Sequence, residues 1–298
     1  MRQFVLLGLL LAGPVAAQDP SGQTITVTGE RPDEAQIRRE AREFVESHAV
    51  RTRIGQYARW HVPVCVRTWG LPLELNARIS NRVMDIAESI GIRTNRAELC
   101  SPNVRIGFTT APQTMIRAAV RRNSLVVGFH YASEGAALMR VRQPVQAWYM
   151  TTTSGDSSRN QSGVIAMETI DVAGQPTPGG RSDSRLTSGL SSGLAHVLIF
   201  ADVGVAEGQD TDAIAELLAF LALAQTPVAE ACNESDTIVN LMNPACPPER
   251  RPVALTRADT AYLSALYRMN SEVISQHQRG DLVNHMVREM GEEASPPR

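Results

Sequence analysis

The chain has 298 residues, 43% hydrophobic, 20% charged and 5% aromatic, which suits a globular core rather than a disordered or fibrous chain. Twenty-nine basic residues against 31 acidic ones leave a formal net charge of −2, which argues against nucleic acid or an anionic membrane as the main partner. All 29 basic residues are arginine, so chemistry that runs through a lysine, such as a Schiff base, a pyridoxal-phosphate anchor or a P-loop, is excluded.

In chain order, Arg2, the apolar run 4–12 and Val15-Ala16-Ala17 before Gln18 have the form of an export signal over 1–17. Pro14 ends that run well short of a membrane span. The later apolar stretches are interrupted by His196 and Asp202 and by Glu216, so a mature protein without a membrane span, periplasmic or secreted, is expected. Residues 18–33 are polar and punctuated by Gly and Pro, and are expected to be flexible. Charges alternating with Ile37, Ala41, Phe44 and Val45 predict a surface helix from Glu34 to about Ala49.

A short strand is expected over 60–66. Leu75, Ile79, Val83, Ile86 and Ile90 recur at helical spacing with Gly91 as the stop, which predicts a helix over 73–90. Alternation predicts a strand over 104–108, and Pro112 opens a helix to about Arg122. Strands are expected over 125–131, 145–150, 164–172 and 194–203, with Ser/Thr/Gly/Pro-rich loops over 151–163 and 173–193. A nearly all-apolar helix over 211–225 ends at Thr226-Pro227. Thr256-Arg-Ala-Asp259 carries a capping-box pattern ahead of Tyr262, Leu263, Leu266 and Tyr267. A last helix over 271–290 leads to a charged, Pro-rich tail, 291–298, expected to be disordered. Together these elements predict one α+β domain over 34–290, a mixed sheet with packed helices.

Cys65, Cys100, Cys232 and Cys246 form an even set, which an oxidising compartment turns into disulfides. Four cysteines allow three pairings. Cys65–Cys100 and Cys232–Cys246 are preferred because each pair lies within one contiguous region. The competing zinc site lacks a C-x-x-C and a neighbouring histidine.

Three residues stand out as candidate catalytic groups. Gly189-Leu-Ser191-Ser-Gly193 fits the G-x-S-x-G pattern of a hydrolase elbow, although it follows a polar loop and precedes a strand, the reverse of the elbow's context. His196 lies within an apolar strand, where a histidine is usually a hydrogen-bonded core residue. The six histidines show neither H-x-H nor H-x-x-x-H, so a metal would need dispersed ligands such as His196, His130 and nearby carboxylates. Glu216 is flanked by apolar residues on every helical face. It must be paired, hydrogen-bonded or protonated if buried, unless it reaches solvent or one of the arginines.

Three resemblances follow from these residues. Ile25-Thr-Val-Thr-Gly-Glu-Arg31 resembles the mature N-termini of TonB-dependent outer-membrane receptors, which implies a Gram-negative periplasm and a role as accessory to TonB-linked uptake. The order of elements over residues 72–290, with Ala215-Glu216-Leu-Leu-Ala219 on the apolar helix and Leu255-Thr-Arg-Ala-Asp259 through Tyr267 after it, resembles a zincin-like metalloprotease domain. It also resembles a group of uncharacterised exported Gram-negative bacterial proteins with the same L-T-x-x-D…L-Y ending. The zincin helix carries H-E-x-x-H, and this chain has alanine at both zinc-ligand positions, so the resemblance implies a fold without the metal and no cofactor. It implies a non-catalytic domain that binds a protein or peptide of the cell envelope. The alternative is a periplasmic hydrolase using Ser191 or a dispersed metal site.

Overall fold

In the computed structural model the described residues are 33–128, 132–155, 190–271 and 273–293. Helix α1 (Glu34–His48) starts where the Asp33 carboxylate accepts the Ala35 N–H, and it buries Ile37, Ala41, Phe44, Val45 and His48. Strand β1 (Val66–Trp69) passes through α2 (Leu73–Ser89) to β2 (Val104–Thr109). The α2 stop is a left-handed Gly91 at φ 85°, with the Gly91 and Ile92 N–H groups donating to the Glu88 and Ala87 carbonyls. Then follow α3 (Pro112–Arg122), α4 (Ala132–Leu138), β3 (Val145–Gly155) and β4 (Leu190–Asp202). After β4 come a single turn (Val203–Ala206), α5 (Thr211–Leu223), α6 (Arg257–Arg268) and α7 (Ser275–Glu293).

The sheet order is β1-β2-β4-β3. β1, β2 and β4 run parallel, with Val66 opposite Val104 and Val104 opposite Val197, while β3 is an antiparallel edge strand with Val145 opposite Ala201. A register shift falls between Met150 and Thr151. The architecture is therefore α+β with a mixed sheet.

Strand alternation divides the apolar residues between two faces. Val104, Ile106, Phe108, Val197, Ile199 and Ala201 join the helices α1, α2, α5, α6 and α7 in the main core. Trp148, Leu198 and Phe200 face the other way and pack with Ile116 of α3 and Val127. Helix α5 sits in the middle of the main core, with every residue from Ala213 to Leu223 buried. Gly70 (φ 100°) turns the chain from β1 into α2, and a Cβ there would lie 2.0 Å from the Phe108 carbonyl oxygen.

Several expectations are corrected. The strand near 60–66 begins only at Val66, because Pro63 has no N–H to give a ladder; the chain before it makes isolated bridges, Arg59 to Gly193 and Val64 to Thr94. The apolar run from Leu125 is a 3-10 turn (Ser124–Val127) capped by Asn123 and ended by Gly128, not a strand. Residues 151–155 and 190–193, expected to be loop, are strand: Thr152 pairs with Gly193 and Ser154 with Ser191. Threonine suits a pleated surface, and composition alone hides that. The last helix starts at Ser275 rather than 271 and continues to Glu293, three residues into the expected tail. The export signal, the 18–32 segment, the expected strand at 164–172 and His130 lie outside the described residues.

Disulfides join Cys65 to Cys100 and Cys232 to Cys246, and no cysteine is free. Their sequence separations of 35 and 14 correspond to about 4 and about 3 kcal/mol of loop-closure entropy removed from the unfolded chain. Among the described residues, no helix is long and apolar enough to cross a membrane.

Candidate functional site

Helix α5 presents different residues to two surroundings. On the side of α2 and α6, Glu216 is only 7% exposed and each of its carboxylate oxygens has a protein donor. Arg82 of α2 pairs with Oε1, and the Leu255 N–H donates to Oε2 at 2.6 Å. Arg82 is raised above its ordinary value by that hydrogen bond. The Glu216 carboxylate thus ties α2, α5 and the segment entering α6 at one point, and the arginine reading of Glu216 is the one the structure displays.

The same segment is anchored a second time. Thr256 accepts the Asp259 N–H at 3.1 Å, and Asp259 accepts the Thr256 N–H at 2.9 Å, a complete capping box. The Asp259 carboxylate also accepts from the Thr237 hydroxyl and the Ile238 N–H, both at 2.7 Å. Burial pushes Asp259 up to about 6 against the pull of these donors. The L-T-x-x-D motif and Glu216 are therefore parts of one fastening. A cleft of about 380 Å³ opens beside it, lined by Arg82, Asp85, Ser89, Glu216, Leu255 and Thr260 among others.

Ser191 and His196 are not brought together with Glu216. Ser191 is buried within β4, its Oγ 3.4 Å from the Ser154 hydroxyl, so the G-x-S-x-G motif lies in a strand rather than at a strand-to-helix elbow. His61 reaches the Ser192 carbonyl through Nε2 at 3.2 Å, and the Ser192 hydroxyl meets Thr52 at 2.7 Å. His196 donates from Nδ1 to the Asn103 carbonyl at 3.0 Å. Burial and then the charge of Arg105 hold it below its ordinary value. Among the described residues, no three of His, Cys, Asp and Glu are placed to hold a metal ion.

On its other side α5 faces the edge strand. Val145 and Ala147 of β3, Leu217 and Leu221 of α5, Val228 in the loop after α5, and Met242 line a small apolar cavity of about 40 Å³. Gln143, just before β3, sits in its wall. Its Nε2 donates to the Ala229 carbonyl at 2.5 Å, which fixes the amide orientation, and its Oε1 is buried and meets no donor among the described residues. The Tyr149 hydroxyl donates to the Leu221 carbonyl at 2.9 Å and meets the Thr226 hydroxyl, fixing Leu221 and Thr226 of the lining against β3.

The sequence reading missed Gln143 and the 226–229 loop. Its one usable signal was the Thr226-Pro227 stop, which forces the chain out of α5 and back toward β3. Comparison of the chain with family models, with curated proteins and with solved structures finds no match.

Proposed function

We propose that this is an exported cell-envelope protein with a zincin-like domain that holds an extended peptide or protein segment without cleaving it. The order of elements supports the resemblance: a long helix α2, strand β2, an antiparallel edge strand β3, and an apolar helix α5 leading to the Leu255–Tyr267 segment. Alanines 215 and 219 have no lone pair to offer zinc, and both are 0% exposed. Each oxygen of Glu216 is held by a donor of the protein, Arg82 on one and the Leu255 N–H on the other, which gives the carboxylate a structural task. The two disulfides support an oxidising compartment.

The observation that carries the binding role is the apolar cavity against edge strand β3 with the Gln143 Oε1, which meets no donor among the described residues, in its wall. An unpaired buried acceptor costs about 1–3 kcal/mol, and a guest that opens the cavity wall relieves it by supplying a peptide N–H. Strand addition supplies backbone hydrogen bonds along the edge, and the cavity takes one apolar side chain.

The test is selection of peptides from a random displayed library, followed by affinity measurements on Gln143→Leu and Met242→Trp variants. Selected sequences should be extended with one apolar anchor, and each variant should bind them at least tenfold more weakly. Amide shifts on binding should follow β3. Peptides that bind both variants as well as the parent, or shifts confined to another surface, would sink the proposal.

A further inference from the structure

The sheet face turned away from the main core is covered at one end, where Ile116 of α3 and Val127 pack on Trp148, Leu198 and Phe200. Toward the start of the parallel strands, the same face carries a row of three basic side chains. Val104 and Ile106 point into the main core, so Arg105 of β2 points the opposite way. Thr68 turns inward to accept the Ser80 hydroxyl of α2, so Arg67 of β1 also points outward. His196 of β4 alternates with Leu198 and Phe200 on that face. Arg67 and Arg105 are direct register partners, and Arg105 lies opposite Leu198, two residues from His196.

Among the described residues neither arginine of this row is in an ion pair. Arg67 donates to the Glu98 backbone carbonyl at 3.1 Å, an acceptor without net charge, and both arginines are exposed. Like charges directly opposed across neighbouring strands destabilise a sheet. Some arginines elsewhere are matched, Arg78 with Asp212, Arg96 with Asp85 and Glu88, Arg268 with Glu289, and others are not; what sets this row apart is that its two arginines are direct register partners on neighbouring strands. The imidazole beside the row has Nδ1 committed to Asn103 and Nε2 without a partner among the described residues.

We infer that Arg67, Arg105 and His196 form a binding site for a diphosphate or similarly spaced phosphate groups. Three adjacent strands set the row over roughly 10 Å, within reach of the two ends of such an anion for flexible arginine side chains. Two guanidinium forks supply paired N–H donors to phosphate oxygens. The His196 Nε2 takes a proton from solvent as the anion arrives and becomes a third donor. The site is independent of the peptide-binding surface at β3.

Inorganic pyrophosphate titrated into the full chain by calorimetry, with the His196 imidazole followed by NMR, tests this site. Saturable binding is expected, with the imidazole titrating at higher pH in its presence. The Arg67→Gln/Arg105→Gln double variant should bind at least tenfold more weakly while its thermal unfolding without ligand is no lower than the parent's. A loss of less than tenfold, or an imidazole that titrates identically with and without pyrophosphate, overturns the inference. Sedimentation with phosphatidylglycerol vesicles distinguishes the source of the group. Vesicle binding displaced by pyrophosphate identifies a lipid headgroup, and pyrophosphate binding alone identifies a soluble ester. Absence of both overturns the site.

Discussion

Glu216 illustrates how one buried carboxylate is given a structural task. Removing it leaves a part-buried Leu255 N–H without its acceptor and a half-exposed Arg82 that water still solvates, so Glu216→Ala should lower stability by about 1–3 kcal/mol. Glu216→Gln keeps an acceptor for Leu255 and should cost less than half as much; urea unfolding of the two variants measures the difference. Equal losses would mean that the charge, not the acceptor, carries the contact. His48 gives a pH signature. It is 1% exposed, stacked on Phe44, and burial lowers it to about 4. Between about 6.5 and 4 the unfolded chain takes up a proton that the folded state refuses, so stability falls as the pH falls through that window. The His48→Phe variant lacks this term, and the parent should lose up to about 3 kcal/mol relative to it between pH 7 and pH 4. Asp259, raised to about 6, acts in the opposite sense: its contribution is present below its ordinary carboxylate range and is lost as the pH rises through 6. The difference between parent and His48→Phe isolates the first term from the second.

At the scale of elements, α5 is the most constrained piece of the chain. An apolar residue on every helical face requires a helix surrounded by protein, and that much was legible from the sequence. The partner of Glu216 was not, because Arg82 and Leu255 are 134 and 39 residues away along the chain. Placing His at 215 and 219 inserts two imidazoles into fully packed positions. The Ala215→His/Ala219→His chain should therefore lose at least about 3 kcal/mol and take up no stoichiometric zinc by calorimetry. Tight zinc binding by that variant would show that the helix can turn its ligand face to a metal after all. The strands β3 and β4 show the opposite limit. Their Ser/Thr/Gly-rich halves read as loop, yet Thr151–Gly155 and Leu190–Gly193 pair, because cross-strand hydrogen bonding depends on a neighbour that composition does not reveal. The 3-10 turn at Ser124–Val127 has the same origin: its three apolar residues, Leu125, Val126 and Val127, suit either geometry until Asn123 caps one of them.

At the scale of the whole molecule, the main core gathers helices on one face of a four-stranded sheet, and among the described residues the other face carries a smaller apolar cluster around Trp148, Leu198 and Phe200. Helical periodicity disclosed the covering helices, and strand alternation disclosed most of the sheet. Gln143 and the row Arg67, Arg105 and His196 emerge only when separate elements are assembled, since none forms a local motif. The disulfides add to a core already extensive, so a Cys232→Ser/Cys246→Ser chain should still fold but unfold at lower temperature, by the equivalent of about 3 kcal/mol. Calorimetric melting of the two chains under identical conditions checks this, and unchanged melting would mean that the Asn233 and Asn240 hydrogen bonds already hold that loop.

The pattern of those crosslinks bears on assembly as well as on stability. Each disulfide joins a cysteine to the next one in the chain, Cys65 to Cys100 and Cys232 to Cys246. A chain entering an oxidising space N-terminus first presents its thiols in matched couples, and the ring around α2 can close before the third cysteine arrives. Oxidation in order of arrival would then yield the native pairs without a later exchange of partners, so on export the chain is expected to mature with an oxidant alone.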